Sequence, residues 1–219
     1  MSDGLERVVL PVTPFQQNCS ILWSGSSKRG VIIDPGGDLE RIRNVLDSES
    51  ISLEKILLTH GHLDHAAAAG VLSNEHDIPI EGPHIDDKFW LDAIPEQSIR
   101  YGFPQTDCFE PNRWLEDGDK VTFSDQSMRV LHCPGHTPGH VVFYHETGLA
   151  FVGDVLFMGS VGRTDLPKGS FKDLTNSIRE RLWPLGDKVR FVPGHGPEST
   201  FGHERQTNPF VGDFVFEDE

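Results

Sequence analysis

The 219-residue sequence has no apolar run approaching the roughly 20 residues that span a bilayer, so no membrane helix is expected. Asp3, Glu6 and Arg7 interrupt its first ten residues without an apolar segment after them, and no secretory signal is read there. Cysteine is scarce: Cys19, Cys108 and Cys133 are widely spaced and outside any CxxC pattern, which excludes a disulfide framework and a zinc knuckle. Three buried free thiols are expected. Basic residues are also few. Nineteen Lys and Arg against 34 Asp and Glu leave a formal net charge of -15, which repels nucleic acid and anionic membrane at long range. A cytoplasmic protein whose partners are neither nucleic acid nor membrane is therefore expected. The length suits one sizeable domain spanning residues 1–219, and no low-complexity linker or charge run divides it.

Histidine, by contrast, is abundant, with eleven residues, and it clusters. Histidine is the commonest side-chain metal ligand, so its placement along the chain matters. Strands are predicted around 8–10, 19–23 and 30–34, the last running into Pro35-Gly36-Gly37. Residues 38–46 carry apolar positions at 39, 42, 45 and 46, one helical face, with Asp38 as the expected cap. A short buried strand at 55–58 delivers Thr59-His60-Gly61-His62-Leu63-Asp64-His65, and a helix over 66–72 leaves it. Residues 83–111 read as an irregular loop region with a short helix near 86–91. Beyond it come strands near 120–123, 128–132, 140–144, 149–152 and 189–192, with a helix over 171–182. The last ten residues read as a tail. Each half gives several strands and then a helix, which fits two packed sheets with helices outside.

His60, His62, Asp64 and His65 fall within six residues. A helix cannot point residues 60, 62 and 64 the same way, but a loop at a strand end presents all four groups to one point. Three further tight Gly/Pro turns end apolar strands with a ligand-type residue at the apex. They are Cys133-Pro134-Gly135-His136-Thr137-Pro138-Gly139-His140, Phe151-Val152-Gly153-Asp154, and Phe191-Val192-Pro193-Gly194-His195-Gly196-Pro197. With the first motif they supply His and Asp donors suited to two cations with open positions for water.

The ordered set THxHxDH, GHTPGH, GD and PGHGP resembles the metallo-β-lactamase superfamily, and within it the short bacterial glyoxalase II-like hydrolases. The resemblance runs from Asp34-Pro35-Gly36-Gly37 to Asn208-Pro209-Phe210. It implies an α/β fold, an αββα sandwich of two mixed sheets flanked by helices. It also implies that one metal takes His60, His62 and His136, a second takes Asp64, His65 and His195, and Asp154 bridges them. Asp64 and Asp154 are thereby the catalytic carboxylates. Two divalent ions per chain are implied, zinc first, with iron or manganese also accepted by N/O donors. Asp34 resembles a residue lying beneath the metals, a role weighed evenly against a simple turn function. His140 is expected to orient its loop, while His76, His84, His132, His145 and His203 match no motif position and read as surface or packing residues. Arg163, nine residues after Asp154, stands where glyoxalase II enzymes place a basic residue against glutathione.

The implied reaction is hydrolysis of a glutathione thioester, S-D-lactoylglutathione to D-lactate and glutathione, by a hydroxide between the metals. Full-length glyoxalase II enzymes carry a C-terminal helical domain that binds glutathione. Only 24 residues follow His195 here, so recognition would rest on Arg163, Lys168 and the 83–111 segment. The rival reading is a mono-iron glutathione persulfide dioxygenase of the same fold, held by His60, His136 and Asp154; the segment Gly162-Arg163-Thr164-Asp165 resembles that branch. A β-lactam or lactone substrate ranks lower, as does a binding module with a vestigial site, because all seven ligand positions are filled. A monomer and a homodimer are both compatible with the sequence.

Overall fold

The computed structural model describes residues 4–215. Its first half forms a five-stranded mixed sheet from β1 (Leu5–Val12), β2 (Gln17–Ser24), β3 (Arg29–Ile33), β4 (Ser52–Leu57) and β5 (Ile80–Glu81), in that spatial order. The first three strands pair antiparallel, with Val8 opposite Ile21 and Leu22 opposite Val31; β3–β4 and β4–β5 are parallel. Parallel neighbours need a crossover, and α1 (Leu39–Glu49) and α3 (Ala69–His76) supply it. Between β4 and α3 lies the single-turn α2 (Leu63–Ala66).

The second sheet has six strands: β6 (Lys120–Phe123), β7 (Gln126–His132), β8 (Val141–His145), β9 (Leu149–Gly153), β12 (Arg190–Pro193) and β13 (Ser199–Thr200). Their spatial order is β13-β12-β9-β8-β7-β6, and only β12 and β9 run parallel. A small ribbon of β10 (Leu156–Phe157) and β11 (Ser160–Val161) follows β9. The crossover between β9 and β12 contains α6 (Phe171–Ser177), which widens into a π-turn at Ile178–Leu182.

Most strands are apolar on both faces because both faces are covered. In β3, Val31 and Ile33 join a core between the sheets with Leu57, Val130, Phe143, Phe151 and Val192, while Ile32 joins a second core beneath α1 and α3 with Ile42, Leu46 and Leu72. A third core places Leu174, Ile178 and Phe201 against Val142, Ala150, Val152 and Phe191. The layers run helix, sheet, sheet, helix, the expected αββα arrangement, and all the strands expected from the sequence are present. Among the described residues no helix is long and apolar enough to cross a membrane.

Several local expectations differ. Residues 83–111 are largely helical: a 3-10 turn at Ile85–Asp87 leads into α4 (Lys88–Asp92) and α5 (Ile94–Tyr101). Asp38 sits at the start of α1 in a left-handed conformation and does not cap it; its carboxylate accepts from the Thr13 backbone N–H at 3.0 Å instead. Of the three thiols, Cys19 and Cys133 are buried but Cys108 is exposed. The expected tail begins too early, because α7 (Phe201–Thr207) is followed by a turn that buries Asn208 and Val211. The remainder of that tail, residues 216–219, lies outside the described residues.

Candidate metal centre

The centre forms where the C-terminal ends of strands from both sheets meet. Beyond β4, the Thr59 backbone N–H and hydroxyl both donate to Asp34, at 2.7 and 2.6 Å. With its only proton committed, the Thr59 oxygen accepts from Nδ1 of His60 at 3.0 Å, which leaves Nε2 of that ring as a lone pair. Three other rings are fixed the same way. Nδ1 of His65 donates to Asp34 at 2.9 Å, that of His136 to the Arg163 carbonyl at 2.8 Å, and that of His195 to the Phe15 carbonyl at 3.1 Å. Such partners on the far nitrogen set both tautomer and ring direction in metal sites.

His62 presents Nδ1 instead. It lies 3.0 Å from Nε2 of His60 and 2.9 Å from Nε2 of His136. Two of these three nitrogens are already lone pairs, so one shared proton cannot satisfy all three, whereas a cation among them can. Next to this trio, Oδ2 of Asp64 lies 3.2 Å from Nε2 of His195 and 3.8 Å from Nε2 of His65. Asp154 stands between the two groups. Its Oδ1 is 3.4 Å from Nε2 of His65, and its Oδ2 is 3.5 Å from Nε2 of His136 and 3.7 Å from Nε2 of His195. Nε2 of His65 and Oδ1 of Asp154 are buried without a hydrogen-bond partner, a costly arrangement that coordination would relieve. The donors therefore fit divalent ions, and His60-His62-His136 and Asp64-His65-His195 are each compact enough to hold one.

Electrostatics divides the centre into two unlike halves. Burial first, and the neighbouring imidazoles second, lower the pKa of His60; burial and His136 bring His62 down to about 3. Burial also lowers His136, so this trio is neutral and ready to ligate at physiological pH. In the other half burial disfavours charge on His65, but Asp154 and Asp64 outweigh it and raise its pKa. Burial likewise raises Asp154 and Asp64, yet the surrounding imidazoles, His65 foremost, hold both carboxyls below their ordinary value. This half is a niche built for positive charge.

Gly194 explains how the halves come so close. A Cβ there would lie 2.0 Å from Oδ1 of Asp154, so only glycine lets the chain before His195 pass. His140 orients rather than ligates: its Nε2 accepts from the Asp154 backbone N–H at 3.0 Å, and its ring stacks on His60. Asp34 lies beneath His60 and His65, holding Thr59 and His65 rather than merely forming a turn. Arg163 lies at the rim, its backbone carbonyl on His136 and its exposed guanidinium paired in two 2.7 Å bonds with Asp165.

Two buried residues around the centre carry no sequence signal. Asp87 accepts from Gly139 N at 2.6 Å, Thr137 Oγ1 at 2.8 Å and Gly61 N at 2.9 Å, tying the two histidine loops together. Trp90 packs edge-on against His62, with ring centroids 4.4 Å apart.

The family model of the metallo-beta-lactamase superfamily matches residues 12–195, a span that includes all seven donors. The chain belongs to the metallo-beta-lactamase superfamily. It is 45% identical over 205 residues to hydroxyacylglutathione hydrolase GloC of Haemophilus influenzae, covering 93% of this chain and 96% of that protein. Among solved structures it is similar to the B3 metallo-beta-lactamase BLEG-1, with a TM-score of 0.87 and 35% identity, over 94% of this chain and 99% of that one. It is also similar to TTHA1623 in a di-iron-bound form, with a TM-score of 0.84 and 36% identity, over 93% of this chain and all of that one (100%). Membership and these relatives make the chain a hydrolase with a divalent-metal centre.

Proposed function

We propose that this superfamily member hydrolyses a glutathione thioester, S-D-lactoylglutathione in the first instance, releasing D-lactate and glutathione, with two divalent ions per chain. The observation that carries the reading is the position of Asp154, within 3.4–3.7 Å of ring nitrogens from both donor groups. In this reading His60, His62 and His136 hold one ion, Asp64, His65 and His195 hold the other, and Asp154 is shared. The similarity to GloC supports the substrate, and the di-iron form of TTHA1623 keeps iron beside zinc and manganese as the metal. When bound, such ions supply an acidified water and a Lewis acid for the thioester carbonyl.

The protein's own residues do the rest. Asp34, Thr59 and the Arg163 and Phe15 carbonyls hold the rings in register, so little reorganisation is needed as charge develops. The departing thiolate has a conjugate acid with a pKa of about 8.5 and needs no strong acid to leave. That agrees with a centre in which Asp64 and Asp154 face metal positions and Asp34 is taken up by Thr59 and His65. Arg163 is the group proposed to meet the glutathione moiety, exchanging Asp165 for a substrate carboxylate at the exposed rim. We further read residues 1–219 as one cytoplasmic domain, supported by the core shared between its sheets, acting as a monomer or homodimer on a small molecule.

Thiol release from S-D-lactoylglutathione by metal-replete protein tests the reading, with Asp154→Ala expected to abolish it. Metal-replete protein that releases no thiol overturns it. The mono-iron persulfide dioxygenase reading needs only His60, His136 and Asp154, and leaves Asp64, His65 and His195 converging on nothing. One iron per chain, with rapid oxygen uptake on glutathione persulfide, would favour it.

A further inference from the structure

A second group of ligand-type side chains lies outside the centre and is not used by the chemistry above. His84 and Asp86 come from the turn before α4, and His132 is the last residue of β7. One ring nitrogen from each histidine and one carboxylate oxygen all lie within 4.8 Å of one another. The two rings stack at 4.3 Å between centroids, 23° from parallel, so one of them must turn about its Cβ–Cγ bond to bring both in-plane lone pairs onto a shared ion. From this arrangement we infer that His84, Asp86 and His132 form a peripheral site for a single divalent transition-metal cation such as Zn2+.

Hydrogen bonding prepares the donors. Nε2 of His132 lies 2.9 Å from the Pro138 carbonyl, which can only accept, so that nitrogen carries the proton and Nδ1 is the lone pair. Nδ1 of His84 accepts from the Asp86 backbone N–H at 3.3 Å, so it too is a lone pair, yet Oδ2 of Asp86 faces it at 3.3 Å. Two acceptors at that separation repel unless a positive charge lies between them. The spacing is also the edge expected of a tetrahedron whose bonds to zinc are about 2.0–2.1 Å, which is roughly 3.3 Å. Asp117, which accepts from the His132 backbone N–H at 3.0 Å, is paired with Arg181, so the negative charge offered to a cation here is that of Asp86.

The position gives such a cation something to do. Asp87, next to Asp86, ties Gly61, Thr137 and Gly139 together, and His84 N donates to the Gly139 carbonyl at 3.0 Å. His132 leads directly into the loop that bears His136. A cation joining the two segments would clamp the loops that place His60, His62 and His136, without touching the centre itself.

Titration of Zn2+ by calorimetry into protein already loaded with metal and desalted tests the site. The wild type is expected to take up one further Zn2+ per chain and to gain thermal stability from it. Asp86→Ala with His132→Gln is expected to weaken that uptake at least tenfold while retaining the metal of the main centre. Asp86 is exposed and glutamine keeps a donor for Pro138, so the variant should fold; Asp86→Ala alone, with an intermediate loss, guards against a folding failure. Absence of further uptake by the wild type, as expected if only a proton lies between His84 and Asp86, overturns the inference. Equal uptake by the wild type and the double variant does the same.

Discussion

Oδ2 of Asp34 lies 2.9 Å from Nδ1 of His65, on the side of the ring facing away from the metal centre. The same carboxylate takes both the hydroxyl and the backbone N–H of Thr59, which in turn accepts from His60. One carboxylate therefore aims a histidine in each donor group.

Asp34→Ala is accordingly expected to lower both metal affinity and activity by about 10- to 100-fold, the usual loss for a residue that orients ligands. Leaving the buried Thr59 N–H unpaired should cost about 1–3 kcal/mol of stability as well. Metal content after dialysis against graded chelator checks the first effect, and denaturant unfolding checks the second. Unchanged metal retention would show that the ring is held by other contacts.

Gly194→Ala is expected to abolish most activity with little change in fold. The new methyl would sit 2.0 Å from Oδ1 of Asp154 and 2.7 Å from Cε1 of His65, so the carboxylate must move by an ångström or more. Displacements of that size cost on the order of 100-fold in rate. Circular dichroism should match the wild type while metal analysis shows a deficit.

Arg163→Ala should raise KM for the glutathione thioester about tenfold and leave kcat nearly unchanged, the signature of lost uniform binding. His136 is held by the Arg163 backbone carbonyl, which alanine keeps. A fall in kcat with unchanged KM would argue that the side chain acts at the centre rather than on the substrate.

Burial raises the Asp87 carboxyl to about 6, against the pull of the Thr137, Gly61 and Gly139 donors. Since the folded value exceeds the ordinary 3.8, the folded state binds the proton more tightly, and this contribution is fully present below pH 3.8. It fades as pH rises through about 6, by up to about 3 kcal/mol. Comparing unfolding free energies of metal-stripped wild type and Asp87→Asn, which cannot titrate, should show the difference shifting against the wild type between pH 4 and 7. A pH-independent difference would contradict the assignment.

The legibility of this chain follows from how local each feature is. The Thr59–His65 motif and the three turn motifs present their donors through short-range backbone geometry, the metallo-β-lactamase resemblance singles out seven of them, and the fold brings those seven together. Asp87 could not be named, because its importance arises from burial beside Gly61 and Gly139, distant in sequence. α5 did leave a trace: Pro95 in its first turn and left-handed Gly102 just past its end are ordinary boundary signals, hidden by the aromatic and proline content around them. Asp38 misled for a tertiary reason, since the Thr13 N–H claims its carboxylate. The chain beyond Asn208 misled similarly: that residue's amide reaches the Ser160 carbonyl at 3.0 Å and pulls Val211 into cover.

Four donors, His60 to His65, belong to the first sheet, and His136, Asp154 and His195 belong to the second. The centre thus acts as a gauge of how the two sheets are seated on one another. A slip of an ångström along their common core, set by side chains such as Leu57, Phe143 and Val192, would draw His136 away from His60 and His62 and His195 away from Asp64 and His65, loosening both donor groups at once. Substitutions in that core, remote from any reacting atom, should therefore be felt first as weaker metal retention by both donor groups and only later as unfolding.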